Sequence, residues 1–196
     1  MSDPDKLSKA FQLFDKANSE DPNKEEHLGK TYPRELLYAI RMTEKLNSFA
    51  PNASEVLQLT ARCQHIRRWE IPRESYTMDR IGYLKWRQEL KKFHAQKASE
   101  ILQEVGYGRD IIDKVSFLLE KKQLKKNEDT QTLEDVICLV FLEFYLEPFS
   151  EKHSKEKSIE ILQKTWRKMS ERGQEAALRL PFSKKAYELV SKAIEK

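Results

Sequence analysis

Eleven consecutive residues from Val136, VICLVFLEFYL, carry a single charge, Glu143, and this stretch limits the possible folds more than any other. A helix that is apolar nearly all round has to be covered on every side, so it belongs at the centre of a packed domain. A bilayer would cover it too, but a spanning helix requires roughly 20 apolar residues and this run is far shorter. No membrane partner is therefore expected. The helix is predicted over TLEDVICLVFLEFYLEPF, capped by Thr130 or Thr132, with Glu134 and Asp135 in its first turn where carboxylates suit the positive dipole end. Val136 to Tyr145 should be its most buried part.

The remaining chain supplies partners for such a core helix. Apolar residues recur at spacings of three and four, as in Leu7, Ala10, Phe11 and Phe14, or Leu36, Leu37, Ile40 and Leu46. With 35% charged residues, 39% hydrophobic ones and only five glycines, the balance favours helices over a sandwich or barrel. The expected fold is all-α, a single domain over residues 1–196 built as an orthogonal bundle of seven or eight helices. The polar segment from Asn18 through Gly29 and Lys30 reads as a connecting loop, and Pro33 sits where it can open the next helix. A long helix should run from Asp79 or Arg80 to Val105, closed by Gly106.

The opening residues lack an apolar targeting core, so no secretory signal is expected. Cys63 and Cys138 are too few and too far apart for a disulfide framework or a paired zinc site, which points to reduced thiols and a cytoplasmic or nuclear location. A net charge of +4, from 36 basic and 32 acidic residues, is well short of a dedicated nucleic-acid binder. It favours a local site for an anionic ligand.

Such a site is best sought between residues 57 and 94, where arginines, tryptophans and two of the four histidines fall. Arg62, His65 and Trp69 share a face if the helix there is continuous, and Arg87 and His94, nearly two turns apart, share another. A loop broken by Pro72 joins the two helices and could bring both imidazoles into one cleft. With a carboxylate from the core helix, His65, His94 and Asp135 are candidate ligands for a divalent metal, since imidazole and carboxylate suit Mn, Mg, Fe or Zn. The alternative is that both histidines are structural. The arginines of this stretch either recognise phosphate or carboxylate or form a solvated basic face paired with Glu70, Glu74, Asp79 and Glu89.

FDKANSEDPN, PRELLYAIRM, LTARCQHIRRWEIPR, GYLKWRQELKKFHA, QTLEDVICLVFLEFY and KTWRKMS together resemble, over nearly the whole chain, a family of similar length catalogued as a domain of unknown function. A glutamyl-tRNA synthetase assignment carried by some members would imply HIGH and KMSKS signatures, of which only the fragment KMSER is present. More remotely, the helix with His65, the helix with His94, then SEILQEVGYGRDIIDKVSFLLEKK and LEDVICL resemble the HD superfamily of metal-dependent phosphohydrolases. That resemblance implies a metal held by His65, His94 and Asp135, with Asp135 and Glu134 at the reacting centre and a metal-activated water attacking phosphorus. Arg62, Arg73, Arg87 and Lys164 would then neutralise the phosphate of a nucleotide or other small phosphorylated metabolite. Ala95 stands where the superfamily has the aspartate of its His-Asp pair, so Glu134 or water would replace that ligand, or catalysis has been lost. The competing expectation is a non-catalytic helical module that binds an anionic ligand or RNA through the Arg/Trp-rich loop.

Overall fold

The computed structural model describes residues 4–195, which fall into two compact units: residues 4–47 with 51–122, and residues 48–50 with 123–195. The first unit opens with α1 (Pro4–Ser19), followed by an antiparallel hairpin of β1 (Lys24–His27) and β2 (Lys30–Pro33). Then come α2 (Arg34–Phe49), α3 (Glu55–Cys63), two short 3-10 turns at Arg68–Glu70 and Arg73–Ser75, α4 (Arg80–Val105) and α5 (Arg109–Leu119). The second unit contains α6 (Glu128–Val140), a π-helical turn (Phe141–Tyr145), α7 (Leu146–Lys152), α8 (Lys155–Lys168), α9 (Glu171–Ala177) and α10 (Lys184–Ile194).

The chain is thus predominantly helical, with ten α-helices among the described residues where periodicity suggests seven or eight. The surplus comes from breaks that periodicity does not register. The expected core helix gives way after Val140 to a π turn that contains Glu143, and a separate short α7 carries Pro148. The hairpin replaces part of the expected polar loop. Its two-residue turn places Leu28 at φ 50° and Gly29 at φ 72°, the pair of positive angles that lets a tight turn match strand twist. Charged, exposed strands of this kind resist pairing with other chains, and they also disguise themselves as loop in the sequence.

Helix starts follow side-chain chemistry. Ser54 and Asp79 each accept a hydrogen bond from the third residue beyond them, Leu57 and Gly82, and so fix the first turns of α3 and α4. Asn127, not Thr130 or Thr132, caps α6 by accepting from the Thr130 amide at 2.9 Å. The helix therefore starts earlier than expected and places Glu134 and Asp135 in its middle. Gly106, at φ 90°, ends α4 as its position predicts.

Two cores result. In the first unit Phe14, Leu59, Ile66, Ala98, Leu102, Val115 and Leu119 interlock. In the second, Cys138, Leu139, Leu142, Leu146, Leu162 and Ala177 do so, with Leu189 and Val190 of α10 docked on them. Each fully buried leucine or phenylalanine contributes about 1.5–3 kcal/mol relative to exposure. Val136, Leu139 and Val140 are at most 1% exposed, as the apolar run requires, whereas Ile137 and Phe141 are only partly covered.

Candidate functional site

The backbone after α3 sets the site. The chain leaves the α-helix at Cys63, continues in 3-10 bonds from Ile66 to Cys63 and from Arg68 to His65, and reverses at Arg67 with φ 51°. A left-handed arginine costs roughly 1–2 kcal/mol and persists only where neighbours fix it. Here the Arg67 amide donates to Asn18 Oδ1 at 3.0 Å, and its guanidinium pairs with Glu20 at 2.6 Å and with Glu70. This reversal directs His65 and Arg68 toward α2 and α4. Trp69 lies on the next 3-10 turn, so it does not share a helical face with Arg62 and His65 as a continuous helix would require.

His65 stacks on Tyr38 of α2, with ring centroids 4.0 Å apart and planes 13° from parallel. Its Nδ1 lies 3.4 Å from Glu35 Oε2, and its Nε2 lies 2.9 Å from Arg68 Nη1. A neutral ring protonated on Nδ1 satisfies both neighbours, because Glu35 accepts and the guanidinium donates. Burial drives the His65 pKa well below its usual value, and the positive charges of Arg68, Arg87, Lys121 and Arg34 push it further in the same direction. Arg68 in turn lies over the Trp86 ring at 5.0 Å, and burial lowers its pKa. Glu35 titrates above its usual range, chiefly because it is buried; Arg68, Arg34 and His94 oppose that shift.

His94 on α4 comes to 5.8 Å from His65 between ring centroids, so the two imidazoles do meet as their spacing predicts. Its Nδ1 donates to the Ile66 carbonyl at 2.9 Å, which leaves Nε2 as a lone-pair acceptor. That atom is buried and has no hydrogen-bond partner among the described residues. Burial, then His65, lowers the His94 pKa to about 3.

The other expected site residues divide sharply. Arg62 is committed to Asp15 through two bonds of 2.7 and 2.5 Å and also reaches Thr43. Arg73 donates to the carbonyls of Tyr76, Thr77 and Asp79, so it holds a loop. Lys164 pairs with Glu160 on the exposed face of α8. Only Arg87 of that set belongs to the histidine cluster. It is joined there by Arg68 and Arg34, and none of the three forms an ion pair within 4 Å with a carboxylate among the described residues.

Asp135 belongs to the second unit, where its carboxylate accepts from the Ser170 amide at 2.8 Å, the Ser170 hydroxyl at 2.5 Å and Gln131 Nε2 at 3.1 Å. It secures the start of α9 instead of its own helix. Glu134, 3% exposed, lies 3.8 Å from Lys168. As a donor set for metal the three expected ligands do not fit as arranged: His65 Nε2 faces a guanidinium, the Asp135 oxygens are occupied, and His94 Nε2 alone offers an open lone pair. Among the described residues no three His, Cys, Asp or Glu side chains are grouped as a metal centre needs.

Sequence reasoning missed Glu35 and Tyr38. The signal was present, since residues three apart share a helix face, but Glu35 reads locally as a first-turn carboxylate serving the dipole. Its amide is in fact held by Asp21 Oδ2 at 2.9 Å.

No helix among the described residues is long and apolar enough to cross a membrane. Neither a curated protein nor a solved structure is detectably similar to this chain. The family model described as Domain of unknown function (DUF4202) matches residues 8–190. The chain belongs to that family, and the histidine–arginine cluster of its first unit lies within the matched residues.

Proposed function

We propose that the first unit binds a small ligand through a doubly charged anionic group, a phosphate monoester above all, at the cluster of Glu35, His65, Arg68, Arg87 and His94. One observation carries the reading: the half-buried Arg68 guanidinium, held between His65 and Trp86, donates to a neutral imidazole and forms no ion pair within 4 Å with a carboxylate among the described residues, Glu35 acting on it only from farther away. A cation in such a place is costly unless an anion joins it. Arg34 and Arg87 act on the same groups, Glu35 is the acid that faces them, and burial keeps both histidines neutral, so guanidinium groups outnumber the carboxylate around Arg68. Guanidinium groups offer paired donors that match phosphate oxygens. Their clustering around one point favours a single phosphate over the backbone of an RNA strand.

The test is thermal unfolding of the whole chain with inorganic phosphate as the probe and formate as a monoanion control. Phosphate should raise the midpoint as mass action requires, and Arg68→Gln and Arg87→Gln should each remove most of that rise. An equal rise in wild type and both variants would refute the reading. RNA binding that weakens with salt at a slope near −0.7 per phosphate contacted would favour the strand instead.

Hydrolysis of the bound phosphate is a second reading, supported by the buried His94 Nε2 beside the cationic cluster. Burial disfavours a proton on His94, so at neutral pH this ring serves as a hydrogen-bond acceptor more than as a general base. Release of phosphate from simple phosphomonoesters, measured with and without added Mn²⁺, decides it; no release under either condition leaves a binding site.

A further inference from the structure

Seven large apolar side chains stand exposed among the described residues, and four of them fall within seven positions: Met78 at 76%, Ile81 at 66%, Tyr83 at 45% and Leu84 at 54%. They form a ridge at the start of α4. The ridge is braced. Arg73 gathers the carbonyls of Tyr76, Thr77 and Asp79, and the Asp79 carboxylate accepts from the Gly82 amide at 2.7 Å and the Thr77 hydroxyl at 3.0 Å. Gly82 lets the preceding loop rest directly on the first helical turn, where a Cβ would come within 2.1 Å of the Thr77 carbonyl oxygen. Met78, Ile81 and Leu84 therefore project by construction and not through fraying.

The rim is cationic. Arg80, Lys85 and Lys92 are exposed and make no ion pair among the described residues; of the acids in the same segment Asp79 is spent on the cap, Glu89 is engaged by the Tyr76 hydroxyl and Glu74 is exposed, so the cations remain in excess. We propose that this ridge is a peripheral contact for an anionic phospholipid surface, with Met78, Ile81 and Leu84 entering the acyl boundary and Arg80 and Lys85 meeting the headgroups. Tyr83 suits the headgroup level, with its ring against the apolar side and its hydroxyl in water. Charge selects this occupant: a second copy docked ridge to ridge would bring like cations together, whereas an anionic surface complements them. Shape agrees, since a projecting ridge needs a groove in a protein partner but only displacement of lipid in a fluid interface. A contact that lies on a membrane requires no spanning helix.

Flotation of the full chain with vesicles tests this. Binding is expected to phosphatidylcholine vesicles that contain about 30% phosphatidylserine and to be absent with phosphatidylcholine alone. Ile81→Glu/Leu84→Glu should weaken it by about tenfold or more, and Arg80→Glu/Lys85→Glu should weaken it and flatten its salt dependence. Lys184→Glu/Lys185→Glu, an equal charge change at exposed positions of α10, should leave it unchanged. Circular dichroism confirms that each variant is folded; these side chains are on the surface, so folding should survive. Binding undiminished by Ile81→Glu/Leu84→Glu would overturn the proposal in favour of general adhesion by a basic protein. So would the absence of vesicle binding, or a dimer in sedimentation that the same apolar variant dissociates.

Discussion

In the second unit the buried carboxylate of Asp135 accepts from three donors, whereas in the first the buried imidazole of His94 has an Nε2 that accepts from none among the described residues. Both groups are nearly inaccessible, at 2% and 4% exposure, so both must justify their removal from water. Asp135 does so structurally, by holding the N-terminus of α9. His94, beside Arg68 and Glu35, belongs to a set whose valences are not all filled. Asn18 Nδ2 and Gln64 Oε1 are also buried without a partner among the described residues, so what sets His94 apart is its company, a guanidinium and a carboxylate at the same cluster, and not the open atom alone.

The largest expected effect lies in the scaffold. Leu139→Ala, at a position 1% exposed in the second core, should cost about 2–5 kcal/mol in urea unfolding. A cost below about 1 kcal/mol would mean that α6 does not organise its unit. Gly173→Ala attacks the cap itself, because a Cβ there would lie 2.6 Å from Asp135 Oδ1. The carboxylate would have to leave its Ser170 donors, so a loss of roughly 1–3 kcal/mol is expected. Wild-type stability in this variant would show that the cap contributes nothing.

Acid distinguishes the units more directly. His65 and His94 have folded pKa values below the unfolded 6.5, so below about pH 6.5 the unfolded chain binds protons that the folded chain refuses. Their contribution is present above pH 6.5 and is lost as pH falls, by about 1.4 kcal/mol per pH unit for each histidine. Glu35, with its folded pKa raised by burial, acts in the opposite sense, because the folded chain holds its proton more tightly as pH falls, and so offsets part of the histidine loss. The midpoint should be flat above pH 7 and fall between pH 6.5 and 5, before most carboxylates titrate. A flat profile down to pH 5 would show that the histidines are not buried as described. Phosphate bound at the cluster should reduce this loss, because its charge favours the protonated rings.

Much of the fold was legible because it depends on short-range chemistry. Asp79 and Gly106 bound α4 where capping rules put them, and the apolar run from Val136 does supply buried residues. What escaped was set by distant partners. Asp135 reads locally as a first-turn carboxylate, yet its role comes from Ser170, 35 residues away. Arg62 and Arg87 look alike in sequence, and only the presence of Asp15 beside one of them decides which is structural. The meeting of His65 and His94 was foreseeable from two helices joined by a loop broken at Pro72, but Glu35 entered from α2 across a hairpin whose charged strands resemble loop.

The smallest expected effect tests the comparison most closely. Arg87 has no ion pair among the described residues, and its charge opposes protonation of His65, so Arg87→Gln should change stability without ligand by less than about 0.5 kcal/mol. Arg62→Gln, by contrast, breaks a two-bond pair with a half-buried Asp15 and should cost about 1–3 kcal/mol. With phosphate present the order should reverse: the Arg62 variant should keep its ligand-induced rise in midpoint, and the Arg87 variant should lose it. Measuring both variants with and without phosphate closes a cycle in which stability and binding are assigned to different arginines. If Arg87→Gln destabilised the free protein as much as Arg62→Gln did, the first unit would be scaffold like the second and its open valences would have a structural use. If both variants kept the phosphate effect, the anion would bind elsewhere.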